Sequence, residues 1–177
     1  MKFSIGELLM KIAVTGASGY LGTGVVKQLC DDGNDVIAAC HSASNLIDCR
    51  ATVKVGDIFL YDNPFEELGK PELLLHMAWR NGFVHNDPSH IEDLPKHFEF
   101  IKKMTESGVK QIAVIGSMHE VGFFEGSIKE DTPTHPESLY GISKDALRNL
   151  TKLVCKNKNV IFQWLRGYYI VGNTDCG

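Results

Sequence analysis

The stretch that decides the fold is KIAVTGASGYLG, residues 11–22. Its first five residues are a compact apolar run, and the remainder carries glycine at 16, 19 and 22. A strand that turns sharply into a helix needs one residue tolerant of positive φ and bare backbone where an anion approaches. It also needs a small residue where the helix presses on the sheet. The helix N-terminus then offers unpaired N–H groups and a partial positive charge to that anion. A glycine triplet alone is a weak signal, and its place behind the first strand of an alternating chain is what strengthens it.

Outward from that turn, short apolar runs alternate with amphipathic stretches. Residues 20–32 place Leu21, Val25, Val26, Leu29 and Cys30 at helical spacing, with Gly33 where a helix ends. Strands are expected at 35–40, 52–55, 72–77, 110–116 and 159–165, and Asn63–Pro64 has the form of a helix start. A helix over 90–107 carries Ile91, Leu94, Phe98, Ile101 and Met104 on one face. Another over 139–157 turns Leu147, Leu150, Thr151 and Val154 inward. Six strands with interleaved helices predict an α/β fold, a three-layer doubly wound parallel sheet of strand order 3-2-1-4-5-6. Residues 10–177 form its one domain, and residues 1–9 read as a leader or tag-like segment.

Composition narrows the function. Of 177 residues, 44% are hydrophobic and 23% charged, as in ordinary globular chains. A net charge of −4 with no basic block argues against nucleic acid as a partner. No apolar run approaches the ~20 residues of a membrane span, so no membrane partner is expected. Five scattered cysteines, never spaced Cys-x-x-Cys, suggest neither zinc nor a disulfide framework and fit a reducing cytoplasm. The seven histidines lack ligand spacing, so no metal is expected. His76 reads as a hydrogen-bonded core residue, Trp164 as core, and Cys40 as a buried strand end. His119 stands out because it follows Ser117 by two residues.

Two segments carry chemistry. At the end of the second strand, where a carboxylate would receive the ribose hydroxyls of NAD, residues 40–44 read Cys-His-Ser-Ala-Ser. Ser42, Ser44, His41 or Arg50 could instead receive a 2′-phosphate, which tips the balance from NAD toward NADP. Tyr140-Gly-Ile-Ser-Lys144 puts a phenol and an ammonium one helical turn apart on one face. A cation ~4 Å from the phenol, at an effective dielectric of about 20, is worth roughly 4 kcal/mol and lowers its pKa by up to about three units. Ser117, just past the fifth strand, faces the same crevice and can hydrogen-bond a substrate oxygen.

The chain resembles the extended short-chain dehydrogenase/reductase family, in its NAD-dependent epimerase/dehydratase branch acting on nucleotide sugars. The resemblance is carried in order by residues 15–22, Gly56-Asp57-Ile58, His76-Met77-Ala78-Trp79, residues 116–122, Glu130-Asp131-Thr132-Pro133, residues 140–144 and Leu165-Arg166. It implies a Rossmann fold and an NAD(P) site built from Gly16, Ser18, Gly19, Tyr20, Leu21, Gly22, His41 and Ser42. Asp57 and Ile58 would hold the adenine, Ala78 and Trp79 would line the cofactor path, and Tyr168 and Ile170 would close over the nicotinamide. Ser117, Tyr140 and Lys144 would form the catalytic triad, with Tyr140 and Lys144 also touching the cofactor. The implied substrate is a nucleotide sugar, with epimerisation or keto-sugar reduction preferred over dehydration. A homodimer through helices 90–107 and 139–157 is implied as well. The chain departs from the family in three ways: it stops before the substrate lobe, it has Asp93 where Asn is frequent, and it has Tyr169 where Asn is common. A non-catalytic NAD(P)-sensing protein, or an inactive fragment lacking the substrate lobe, stays open as the alternative. A flavin-linked protein would leave Tyr140 and Lys144 unexplained.

Overall fold

The computed structural model describes residues 9–44 and 47–170. In chain order the elements are β1 (Lys11–Thr15), α1 (Tyr20–Asp31), β2 (Asp35–Cys40), β3 (Thr52–Val55), α2 (Pro64–Glu67) and β4 (Leu73–His76). They continue with α3 (Ser89–Ser107), β5 (Gln111–Ser117), α4 (Leu139–Lys158) and β6 (Ile161–Gly167). Single 3₁₀ turns lie at Ile58–Leu60 and Met118–Glu120. The six strands form one sheet in the order β3-β2-β1-β4-β5-β6, every neighbouring pair parallel, as expected. The register places Thr15 beside His76 and His76 beside Val114, so the carboxyl ends of the central strands finish together.

Helices cover both faces of the sheet, which is why its central strands are apolar without alternation. Successive side chains of a strand still point to opposite sides. Ala13 and Leu74 pack with Phe100, Ile101 and Met104 of α3 and Leu147 of α4, whereas Ile12, Val14 and Leu75 pack with Val26 and Cys30 of α1.

Three expectations are corrected. The sixth strand begins two residues later than read, because Asn159 adopts a left-handed conformation (φ 55°) and caps α4. On α4 the buried row is Ser143, Leu147, Thr151 and Cys155, while Leu150 faces outward. On α3 the buried row includes His90, Asp93 and His97, and Ile91 is turned to solvent. Polar groups on that row are buried because each finds a partner, so apolar spacing alone misplaces the inner face. Residues 1–8 of the expected leader lie outside the described residues; Met10 N–H donates to Asn34 Oδ1 at 3.2 Å.

Candidate active site

The turn between β1 and α1 is built by contacts that only glycine permits. Gly16 has φ 69°, and a Cβ on it would lie 2.8 Å from the Ala78 backbone nitrogen. A Cβ on Gly22 would run into the Gly16 carbonyl. No side chain caps α1 at Gly19 and no acidic residue stands in its first turn, so nothing in the chain competes for its N-terminal N–H groups. Beside it lies a cavity of about 620 Å³ lined by Gly16, Ser18, Gly19, His41, Asp57, Ile58, Ala78 and Trp79, among others. The uncapped helix end, the glycine cradle and the cavity together fit the pyrophosphate and adenosine of a dinucleotide.

Asp57 caps the 3₁₀ turn, its carboxylate accepting from Phe59 N–H at 3.0 Å, and Ile58 sits behind it. His41 and Ser42 are exposed and face each other, Nδ1 to Oγ at 3.5 Å. Arg50 is withdrawn from the expected phosphate role. Its guanidinium is bound to Asp48 at 2.7 Å and to Asp31 at 2.6 Å, and it holds the Asp48 carboxyl far below the usual range. Tyr20, Leu21 and Gly22 form the first turn of α1, whereas Tyr168 and Ile170 stand half-exposed beyond β6. Asp93 lines the cavity wall clasped by Arg80 and by Lys96, which outweigh burial and keep its carboxyl below the ordinary value.

Ser117 ends β5, and a tight hydrogen-bonded turn fixes it. Its N–H donates to Glu120 Oε1 at 2.6 Å, and its Oγ accepts from His119 N–H at 3.2 Å. Glu120 is fully buried and also accepts from Trp164 Nε1 at 2.8 Å and from Arg166 Nε at 3.3 Å. Trp164 is thus a core residue with a polar anchor. Ser138 caps α4 by accepting from Gly141 N–H at 3.1 Å, which places Tyr140 in the first turn and Lys144 one turn on. Lys144 is buried; its Nζ donates to the Ile115 carbonyl at 2.8 Å and lies 4.1 Å from the centroid of the Trp79 ring. The Tyr140 ring is surrounded by His90 at 5.2 Å, His85 and His119 at 5.8 Å each, and Trp79 at 6.0 Å.

The electrostatics correct the expected acidic phenol. Burial pushes the Tyr140 pKa above its ordinary value; the Ser117 hydroxyl opposes that rise and the Glu120 charge adds to it. Lys144 Nζ sits 5.9 Å from the centre of the phenol ring, farther than from the indole. Burial also lowers the Lys144 pKa to about 7, with Glu120 pulling the other way. The phenol is therefore protonated at neutral pH.

The structure brings Ser117, Tyr140 and Lys144 together, and of the histidines around them the sequence had singled out only His119. Thr15 Oγ1 bonds His76 Nδ1 at 2.8 Å, and His76 Nε2 bonds His97 Nδ1 at 2.8 Å, all buried. His76 is the core histidine expected. His90 and His97 stand seven apart, two helical turns on one face, which is the signal that could have found them. His85 and His119 rings lie 4.0 Å apart beside Tyr140, and their ring nitrogens have no hydrogen-bond partner among the described residues. Among the described residues no cluster suited to a metal occurs, and no helix is long and apolar enough to cross a membrane.

Comparison with known proteins agrees with this geometry. The chain is 40% identical over 169 residues to dTDP-6-deoxy-L-talose 4-dehydrogenase (NAD(+)) of Aggregatibacter actinomycetemcomitans, an alignment covering 93% of this chain and 63% of the relative. It is 25% identical over 183 residues to UDP-glucose 4-epimerase of Lactobacillus helveticus, covering 95% and 54% respectively. Among solved structures, a UDP-glucose 4-epimerase superposes with TM-score 0.79 at 22% identity, covering 92% of this chain and 53% of that one. MoeE5 in complex with UDP-glucose and NAD gives 0.73 at 20%, covering 88% and 52%. The chain thus spans between about half and two-thirds of the length of these relatives. The model of the NAD dependent epimerase/dehydratase family matches residues 12–175, and the chain belongs to that family.

Proposed function

We propose that the chain supplies the dinucleotide-binding and proton-handling part of an NAD-dependent oxidoreductase acting on a nucleotide sugar. The observation that carries this reading is Trp79. It lines the cavity above the glycine turn and also packs on both Tyr140 and Lys144, so the dinucleotide site and the phenol share one wall. NAD held there by the glycine turn and the cavity wall would supply hydride exchange with a sugar carbon. Tyr140, protonated at neutral pH, gives its proton to the keto oxygen in reduction and is left as phenolate; oxidation is the reverse and starts from that phenolate, which takes the hydroxyl proton. Ser117 hydrogen-bonds the same oxygen. Lys144, whose charge is labile near neutrality, lies where it can meet the nicotinamide ribose. The roles of Gly16, Ser18, Gly19, Tyr20, Leu21, Gly22, His41, Ser42, Asp57, Ile58, Ala78, Tyr168 and Ile170 toward the cofactor belong to the same proposal.

NAD is preferred over NADP, because Arg50, the cation that could receive a 2′-phosphate, is held by Asp48 and Asp31. The 40% identical relative makes a dTDP-linked 6-deoxyhexose the first substrate to test. Dehydration is disfavoured because Glu120 is committed to Ser117, Trp164 and Arg166 rather than free as a second acid. His85 and His119, whose ring nitrogens have no hydrogen-bond partner among the described residues, are assigned to the sugar hydroxyls. The exposed apolar residues Ile142, Leu150 and Leu153 of α4 and Ile91 of α3 support a homodimer through these helices. The four cysteines among the described residues are free, which fits a cytoplasmic setting.

The experiment is calorimetric titration of the full-length protein with NAD⁺ and NADP⁺, followed by turnover assays on dTDP-6-deoxy-L-talose and UDP-glucose. Tighter NAD⁺ binding and sugar-dependent reduction of the cofactor are expected. No dinucleotide binding would overturn the whole reading, and binding without turnover of any nucleotide sugar would make the chain a non-catalytic binder.

A further inference from the structure

The indole of Trp79 is held from more directions than lining a cavity requires. Its Nε1 donates to His90 Nδ1 at 3.1 Å, its face stacks on the His97 ring at 4.4 Å and 14°, and Lys144 Nζ lies 4.1 Å from its centroid. His90 is itself fixed, because with Nδ1 accepting, its Nε2–H donates to the Val84 carbonyl at 2.9 Å.

Behind His97 runs a hydrogen-bond chain with only one possible direction. Thr15 Oγ1 accepts from the N–H groups of Met77 and Ala78 at 3.2 Å each, so its own proton goes to His76 Nδ1. His76 then carries its proton on Nε2 and donates to His97 Nδ1. Both rings are neutral: burial, with His97 and Lys144 nearby, keeps His76 well below its ordinary pKa, and burial with the Lys144 and Lys96 charges keeps His97 at about 3. The chain ties β1, β4 and α3 together and fixes the plane against which the indole stacks.

We propose that Trp79 is a positioning residue for Lys144: an indole locked by His90 and by the Thr15–His76–His97 chain holds the ammonium through a cation–π contact and presents it to the Ile115 carbonyl. This rests on the reading of Lys144 as partner to Tyr140. The other groups facing Lys144 are Glu120 after β5, which favours its charge, and the neutral His76 of β4 and His97 of α3. Tyr140, protonated, shares its helix. An aromatic face stabilises the charged form only, so losing it must lower the lysine pKa.

The test is the pH titration of the carbon-13 ε resonance of Lys144 in the lysine-labelled full chain, assigned by its disappearance in Lys144→Met. Trp79→Leu is expected to lower the midpoint by about one pH unit, and Trp79→Phe to return it to within a few tenths of the wild-type value. Should the Leu protein not fold, Trp79→Met takes its place. A midpoint unchanged or raised in the aliphatic variant overturns the proposal. So does failure of Phe to restore it, since general packing would then be the cause. The titration needs no substrate, so it stands or falls separately from Tyr140: full turnover by Tyr140→Phe would sink the catalytic reading and leave the lysine titration as it is.

Discussion

Two sets of imidazoles lie within a few ångströms of the same tryptophan and tyrosine, and they have opposite characters. His76, His90 and His97 are buried, and their hydrogen bonds run to Thr15, to one another, to Trp79 or to a backbone carbonyl. His85 and His119 are only half-buried, contact each other and Tyr140 through their rings, and leave their ring nitrogens unbonded among the described residues. Residue type tells nothing here. What separates a supporting histidine from one available to a ligand is whether its nitrogens are already occupied, since a buried polar atom without a partner costs about 1–3 kcal/mol.

The largest effect that would break this distinction is on stability. His97→Ala leaves His76 Nε2–H without its acceptor and opens a hole under Trp79, so urea unfolding should show a loss of about 3 kcal/mol. His119→Ala or His85→Ala should cost under about 1 kcal/mol. Equal losses in the two sets would erase the contrast.

Acid sharpens it further. An unfolded chain takes protons on His76 and His97 near pH 6.5, whereas the folded protein keeps His97 neutral to about 3 and His76 far below its ordinary value. Because the unfolded state binds more protons across that window, stability is full above 6.5 and falls as pH drops toward 3, by about 1.4 kcal/mol per pH unit for each ring. The slope of the unfolding free energy between pH 6 and 4 should flatten strongly in His97→Gln and less in His119→Gln, whose pKa burial and the neighbouring His85 also lower.

The smallest expected effect is on substrate handling. His119→Gln or His85→Gln should raise KM for the nucleotide sugar about tenfold, roughly 1.4 kcal/mol, while leaving NAD⁺ affinity and the melting temperature close to wild type. A change in NAD⁺ affinity as large as that in KM would place these rings on the cofactor instead.

Much of this architecture is written locally. The apolar run 11–15 and the glycines at 16, 19 and 22 specify strand, turn and helix through backbone sterics alone; Ser117, Tyr140 and Lys144 were singled out by their places after the fifth strand and at the start of the long helix, whereas Asp57 came only from the family resemblance. The buried face of α3 was not legible, because His90, Asp93 and His97 break apolar periodicity and are tolerated only through partners far off in sequence. Nor was the state of the phenol. Spacing of four residues fixes which face Lys144 shares with Tyr140, but not where four methylenes carry its ammonium, and they carry it to Trp79 and Ile115. The place of Arg50 was lost for the same reason: Asp48 in its own loop and Asp31 at the end of α1 take it first.

The central claim is that the Tyr140 phenol handles the proton of the reacting sugar oxygen. It is tested most directly by single-turnover reduction of NAD⁺ on mixing with dTDP-6-deoxy-L-talose, comparing wild type with Tyr140→Phe under conditions where both bind NAD⁺ equally. The account predicts a rate lower by about 10² to 10⁴ in the variant; an undiminished rate would contradict it.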